Sequence, residues 1–139
     1  MLAADCCYGK AMDRTASCAC GQLTVLCVGE PDRVSLCHCT QCKRRTGSEF
    51  SWNATWPDAA VTPSGRFSSN VRHGDSGLEK SYFFCPDCGS TVFYRVGMRP
   101  GMTSVPAGGL ADPDFPGPAI AVYAKRSAPW PDLDLPYAD

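Results

Sequence analysis

Seven of the ten cysteines fall into three tight groups, Cys18-Ala19-Cys20-Gly21, Cys37-His38-Cys39-Thr40-Gln41-Cys42 and Cys85-Pro86-Asp87-Cys88-Gly89. Thiols spaced this closely converge on metal ions, so whatever fold the chain adopts must bring distant segments to shared sites. Four of them complete a tetrahedral zinc site, and the three left together are the ligand count of a zinc with one open position. A closed site holds a fold, whereas an open one can do chemistry.

The remaining composition fits a small intracellular metalloprotein. A chain of 139 residues holds one domain with a real core and is too short for two comfortable ones. Cysteine at roughly 7% falls just below the range of secreted disulfide scaffolds. Residues 1–14 show neither a basic leader region nor a sustained apolar run, so export and a membrane span are not expected, and the location expected is cytoplasmic. The formal net charge is -1 and the pI about 6.1, which gives no general attraction to nucleic acid or to an anionic membrane. Residues 1–14, with the pair Cys6-Cys7 and no periodicity, are expected to be a flexible extension, and residues 15–139 the domain.

Residues 22–28 alternate as a half-buried strand does, with Leu23, Val25 and Cys27 on one face and Thr24, Leu26 and Val28 on the other. A second strand over 34–37 runs into the triple-cysteine loop, which places metal ligands at strand ends. Residues 43–46 predict one helical turn stopped by Gly47, and 49–56 a strand with alternating aromatics. Further strands are expected at 66–72, 80–84, 91–96 and 120–125, with a long Gly- and Pro-rich loop over 97–118. No long amphipathic helix, internal repeat or low-complexity tract is present. The pattern is that of a mostly-β single domain pinned by metal.

Cys-x-Cys-Gly near the start and Cys-Pro-x-Cys-Gly far downstream resemble two zinc knuckles, turns in which glycine takes a positive φ and backbone amides point at sulfur. Cys18, Cys20, Cys85 and Cys88 thus read as one structural zinc site, the alternatives being disulfides or buried thiols. Cys37, Cys39 and Cys42 read as ligands of a second zinc. His38, their neighbour in an extended segment, is expected to face away from that metal. Cys27 and His73 are further candidates for its fourth ligand, read more simply as a core thiol and an exposed turn histidine.

A zinc held by three thiolates carries a net formal charge of -1. Such a site is a poor activator of water but can hold an incoming thiol as its thiolate, ready to add to a carbonyl carbon. Lys43-Arg44-Arg45 can receive the carboxylates of a small anionic thiol, or can be a solvated basic turn. Phe50, Trp52, Trp56 and Trp130 receive no site role, because aromatics at strand spacing are usually core.

In order and spacing, Cys-x-Cys-Gly, Cys-His-Cys-x-x-Cys-Lys-Arg-Arg-Thr-Gly-Ser and Phe-Cys-Pro-x-Cys-Gly-Ser resemble the family of glutathione-dependent formaldehyde-activating enzymes and centromere protein V. The resemblance runs from about Ser17 to Tyr137 and takes in Gly109-Leu110-Ala111-Asp112-Pro113 and Ala128-Pro129-Trp130. It implies a compact fold of coiled β-sheets stapled by zinc. It also implies two zincs per chain, a structural one on Cys18, Cys20, Cys85 and Cys88 and a second on Cys37, Cys39 and Cys42, at which glutathione acts. The reaction implied is the joining of glutathione and formaldehyde, formally that of a carbon–sulfur lyase. Cys37, Cys39 and Cys42 would activate the thiol while Lys43, Arg44 and Arg45 steer its carboxylates. His38, Glu49, His73 or water are candidate proton donors. Ala111 stands where the family tends to have Asp, and Ala121 near where many members carry a histidine. Two other functions fit the same residues: a zinc-binding protein-interaction module without catalysis, and a thiol redox or metal-buffering protein.

Overall fold

The computed structural model describes residues 13–74, 77–131 and 135–136. Strands β1 (Arg14–Ser17), β2 (Thr24–Cys27) and β5 (Val61–Ser64) form a small antiparallel sheet in the order β1-β2-β5. The other seven are β3 (Arg33–Cys37), β4 (Ser51–Pro57), β6 (Ser68–His73), β7 (Glu79–Phe84), β8 (Thr91–Val96), β9 (Met102–Pro106) and β10 (Ile120–Val122). They build one large sheet in the order β10-β3-β4-β9-β8-β7-β6. Its described pairings are antiparallel except for β10 against β3, which is parallel.

The two-residue period of the strands sorts the large sheet into two unlike faces. Val34, Ala54, Trp56, Phe93 and Val105 point to the core, where they meet Ala16, Leu23 and Val25 of the small sheet. Trp56 is completely buried, and its indole N–H donates to the Gly29 carbonyl at 3.0 Å, so a large apolar body enters the core without an unpaired donor. Phe93 stacks on Phe83 with centroids 4.5 Å apart, and Phe67 closes edge-on against both. On the opposite face the alternate positions are small and polar, among them Ser35, Asn53, Thr55 and Ser104, all buried. Two of them satisfy one another through a Thr55–Ser104 hydroxyl contact of 3.0 Å, and Asn53 is fixed by Ser51 on both its amide atoms.

The strand expected over 22–28 is present as β2, with Leu23, Val25 and Cys27 fully buried and Leu26 and Val28 exposed. The helical turn is present too, but longer than expected. Helix α1 spans Thr40–Thr46, started by Cys39, whose Sγ accepts the Cys42 N–H at 3.3 Å, and ended by Gly47 at φ 66°.

The loop expected over 97–118 is a correction. It contains β9, an interior strand between β4 and β8, and a 3-10 turn over Ala107–Leu110. Only Met102, Thr103, Ser104 and Val105 separate two groups of turn-forming residues there, so local propensity favours a loop. Pairing with β4 and burial of Thr103 and Val105 override it. Strands β1 and β5 were not expected either. β5 carries Pro63, which the sheet accommodates because β5 lies at an edge. The strand expected over 120–125 stops at Val122, where Tyr123 takes a left-handed φ of 53° into a 3-10 turn over Ala124–Arg126. The expected extension, apart from Asp13 and Arg14, lies outside the described residues, Cys6 and Cys7 included.

Candidate metal centres and an adjoining cavity

Cys18 and Cys20 sit in the β1–β2 turn of the small sheet, and Cys85 and Cys88 in the β7–β8 turn of the large one. The four sulfurs lie within 4.8 Å of one another. Cys18 Sγ is 3.6 Å from Cys20 Sγ, which is 3.7 Å from Cys85 Sγ. Two thiolates bound at about 2.3 Å on a tetrahedral ion are separated by about 3.8 Å, so this cluster has the shape a zinc site requires. Its surroundings complete the fit. The Leu23 N–H reaches Cys18 Sγ at 3.3 Å, the Asp87 N–H reaches Cys85 Sγ at 3.4 Å, and Gln22 Nε2 donates to Cys85 Sγ at 2.9 Å. Gly21 at φ 85° and Gly89 at φ 81° take the positive backbone angles that close the two turns, their N–H groups donating to the Cys18 and Cys85 carbonyls.

Cys37 ends β3, Cys39 caps α1 and Cys42 lies in its first turn, and their sulfurs also fall within 4.8 Å of one another. The Cys42 thiol, hydrogen-bonded to Cys37, holds Cys37 down at about 5, and the same proton sharing with burial pushes Cys42 well above an ordinary thiol. A cluster that already favours one thiolate is poised for a soft divalent ion. Both clusters can therefore hold metal.

None of the expected fourth ligands joins the three thiols. Cys27 is fully buried in the core between the sheets, where burial drives it up to about 12. His73 ends the exposed edge strand β6. His38 is buried beside the cluster, with its ring edge against Phe50 and Nδ1 3.7 Å from Glu49 Oε1, too long for a hydrogen bond.

Cys37 and Cys42 open onto a cavity of about 430 Å³ over the polar face of the large sheet. Ser35, Asn53, Thr55 and Ser104 form its floor, and Tyr82 and Tyr94 stand beside Cys42. Burial raises both phenols, so they are O–H donors at neutral pH. Three cations line it: Arg33, whose Nε is buried without a partner, Lys80, and Arg99, paired with Asp32 at 2.7 Å. Sequence reasoning missed these residues. Their signal was the small polar side chain at every second position of strands whose other positions are apolar.

Lys43, Arg44 and Arg45 form the basic C-terminal turn of α1 and do not line this cavity. Lys43 Nζ donates to the Arg126 carbonyl at 2.6 Å and pairs with Glu49 at 3.1 Å. Arg44 is exposed. Arg45 donates to Ser51 Oγ at 2.7 Å and lies over the Tyr82 and Tyr94 rings, lining a smaller groove that it shares with Arg72.

Glu49 also accepts the Ala128 N–H, so Lys43 and Glu49 together clamp the segment that follows β10. That N–H bond, with Lys43, holds the Glu49 carboxyl below its usual value against the opposing effect of burial. A depressed carboxyl contributes stability above its unfolded value, about 4.3, and loses it as pH falls through the lower folded value. Glu49→Gln is expected to make the amides of residues 126–128 exchange several-fold faster at neutral pH, and the wild type to show the same loosening only in acid. Hydrogen exchange read by mass spectrometry checks both.

Residues 13–126 match the family model described as glutathione-dependent formaldehyde-activating enzyme. The chain belongs to that family. All seven clustered cysteines lie within the matched segment, and the glutathione-dependent formaldehyde-activating enzyme match ends with the 3-10 turn that Lys43 clamps. The fold is also similar to the crystal structure of a Rhodobacter sphaeroides protein, with a TM-score of 0.56 and 18% identity, covering 78% of this chain and 99% of that one. No curated protein matches the chain.

Proposed function

We propose that the protein is a zinc-dependent enzyme of the carbon–sulfur lyase type, which joins glutathione or a similar thiol to a small carbonyl compound and releases it again. The observation that carries this reading is the opening of the Cys37–Cys39–Cys42 cluster onto a cavity lined by three cations. In this reading Cys18, Cys20, Cys85 and Cys88 hold a structural zinc and Cys37, Cys39 and Cys42 a second one. A zinc on the three thiolates supplies an open position at which an incoming thiol ionises.

The protein's own residues then bind and orient. Arg33 shares a face of β3 with Cys37, four residues or about 13 Å along the strand. Both side chains line the same cavity. Arg33, Lys80 and Arg99 meet the carboxylates, and the Lys43-Arg44-Arg45 turn adds to the positive potential that steers an anionic thiol inward. The thiolate adds to the carbonyl carbon. Tyr82 and Tyr94, kept protonated by burial, offer O–H donors to the oxygen that gains charge, and water completes the proton transfer.

Native mass spectrometry of the reduced protein, before and after addition of glutathione, tests the reading. Two zincs per chain and one specific glutathione adduct are expected. A single zinc, or two zincs and no adduct, overturns the thiol-activating role and leaves a zinc-stapled interaction module.

A further inference from the structure

The cavity beside Cys37 and Cys42 has a part that glutathione and formaldehyde leave unused. Besides its cations and polar residues, the cavity is lined by Val96, Met98, Ile120, Val122 and Tyr123. Met98 is 60% exposed, Ile120 47% and Tyr123 38%, so three large apolar side chains line one cavity while still open to water. Apolar surface gathered at the rim of a pocket, rather than scattered singly, marks the place of an apolar ligand group. A tripeptide with two carboxylates and an ammonium has nothing to set against such a wall, and a one-carbon aldehyde is too small to reach it.

We propose that the carbonyl partner at this site is an apolar aldehyde of several carbons, its chain or ring lying on Met98, Ile120 and Val122 while the thiol's carboxylates meet Arg33, Lys80 and Arg99. The inference rests on the thiol-activating reading above. The thiolate lone pair forms the C–S bond, the carbonyl π pair moves to oxygen, and the proton given up by the thiol ends on that oxygen. The product is a hemithioacetal, and the reverse path releases both partners without an oxidant or reductant.

S-methylglutathione and S-hexylglutathione are unreactive stand-ins for adducts of a one-carbon and a six-carbon partner. Titrated calorimetrically into the zinc-loaded full chain, the hexyl compound is expected to bind at least tenfold tighter. A buried methylene is worth roughly fourfold in affinity, so tenfold asks for burial of only about two of the five added. Replacing Met98 and Ile120 by serine, M98S/I120S, alters two exposed side chains outside the core and is expected to abolish that preference, with S-methylglutathione binding within twofold of wild type. Equal affinity for the two compounds overturns the inference and leaves the thiol-activating reading intact. A hexyl preference that survives in the double variant overturns it as well, because the wall is then not its source. If glutathione and both derivatives fail to bind, the thiol-activating reading falls and the inference falls with it.

Discussion

Replacing Cys85 by serine is expected to leave the chain without a stable fold, even with zinc in excess. Cys85 is fully buried, and its sulfur lies 3.7 Å from that of Cys20, 65 residues earlier in the chain. The four-thiol cluster brings the β1–β2 turn of the small sheet to the β7–β8 turn of the large one, so a zinc held there would staple the two layers that enclose the core. Structural zinc sites contribute on the order of 10 kcal/mol or more to small domains, against a total stability of about 5–15 kcal/mol. Taking away one thiolate therefore removes an amount comparable to everything that holds the protein folded. Circular dichroism on heating should show no cooperative transition for the variant. Wild-type protein treated with a strong chelator should lose its transition in the same way and regain it when zinc is restored. A variant that still melts cooperatively within a few degrees of wild type would show that this cluster does not carry the fold.

Replacing Cys39 by serine should have the opposite profile, with the fold kept and the thiol chemistry lost. Cys39 is the N-cap of α1, and serine is among the best N-cap residues, so the bond from the Cys42 N–H survives the exchange. What goes is one of the three thiolates that define the second site. The variant is expected to retain one zinc, to melt within a few degrees of wild type, and to lose the glutathione adduct together with at least about 100-fold in thiol-dependent turnover. Zinc counting, thermal denaturation and turnover on the same preparation separate these effects. Unchanged turnover with one zinc lost would place the chemistry elsewhere in the cavity.

Legibility from sequence was uneven, for physical reasons. Cysteine spacing is local, and metal chemistry needs few residues, so the partition into four thiols and three could be read directly and the structure brings both groups together. β2 was legible because its alternation reports one buried and one exposed face. β9 was not, because its stabilisation comes from β4 and β8, remote in sequence, while its own neighbours are turn formers. Lys43-Arg44-Arg45 drew attention as the only cationic run beside the cluster. Arg33, Lys80 and Arg99, each alone in its segment, meet in the cavity because β3, β7 and the turn after β8 do.

The amino-acid sequence by itself thus determined which thiols group together, the mostly-β class and the kinship with glutathione-dependent formaldehyde-activating enzymes, all of which rest on short motifs and local period. Only the tertiary structure decided that the three-thiol cluster faces a cavity lined by buried polar residues, three cations and exposed apolar side chains. A strand fixes which residues share a face, but the order of strands in the sheet fixes which faces adjoin. That order is set by pairings between segments far apart along the chain.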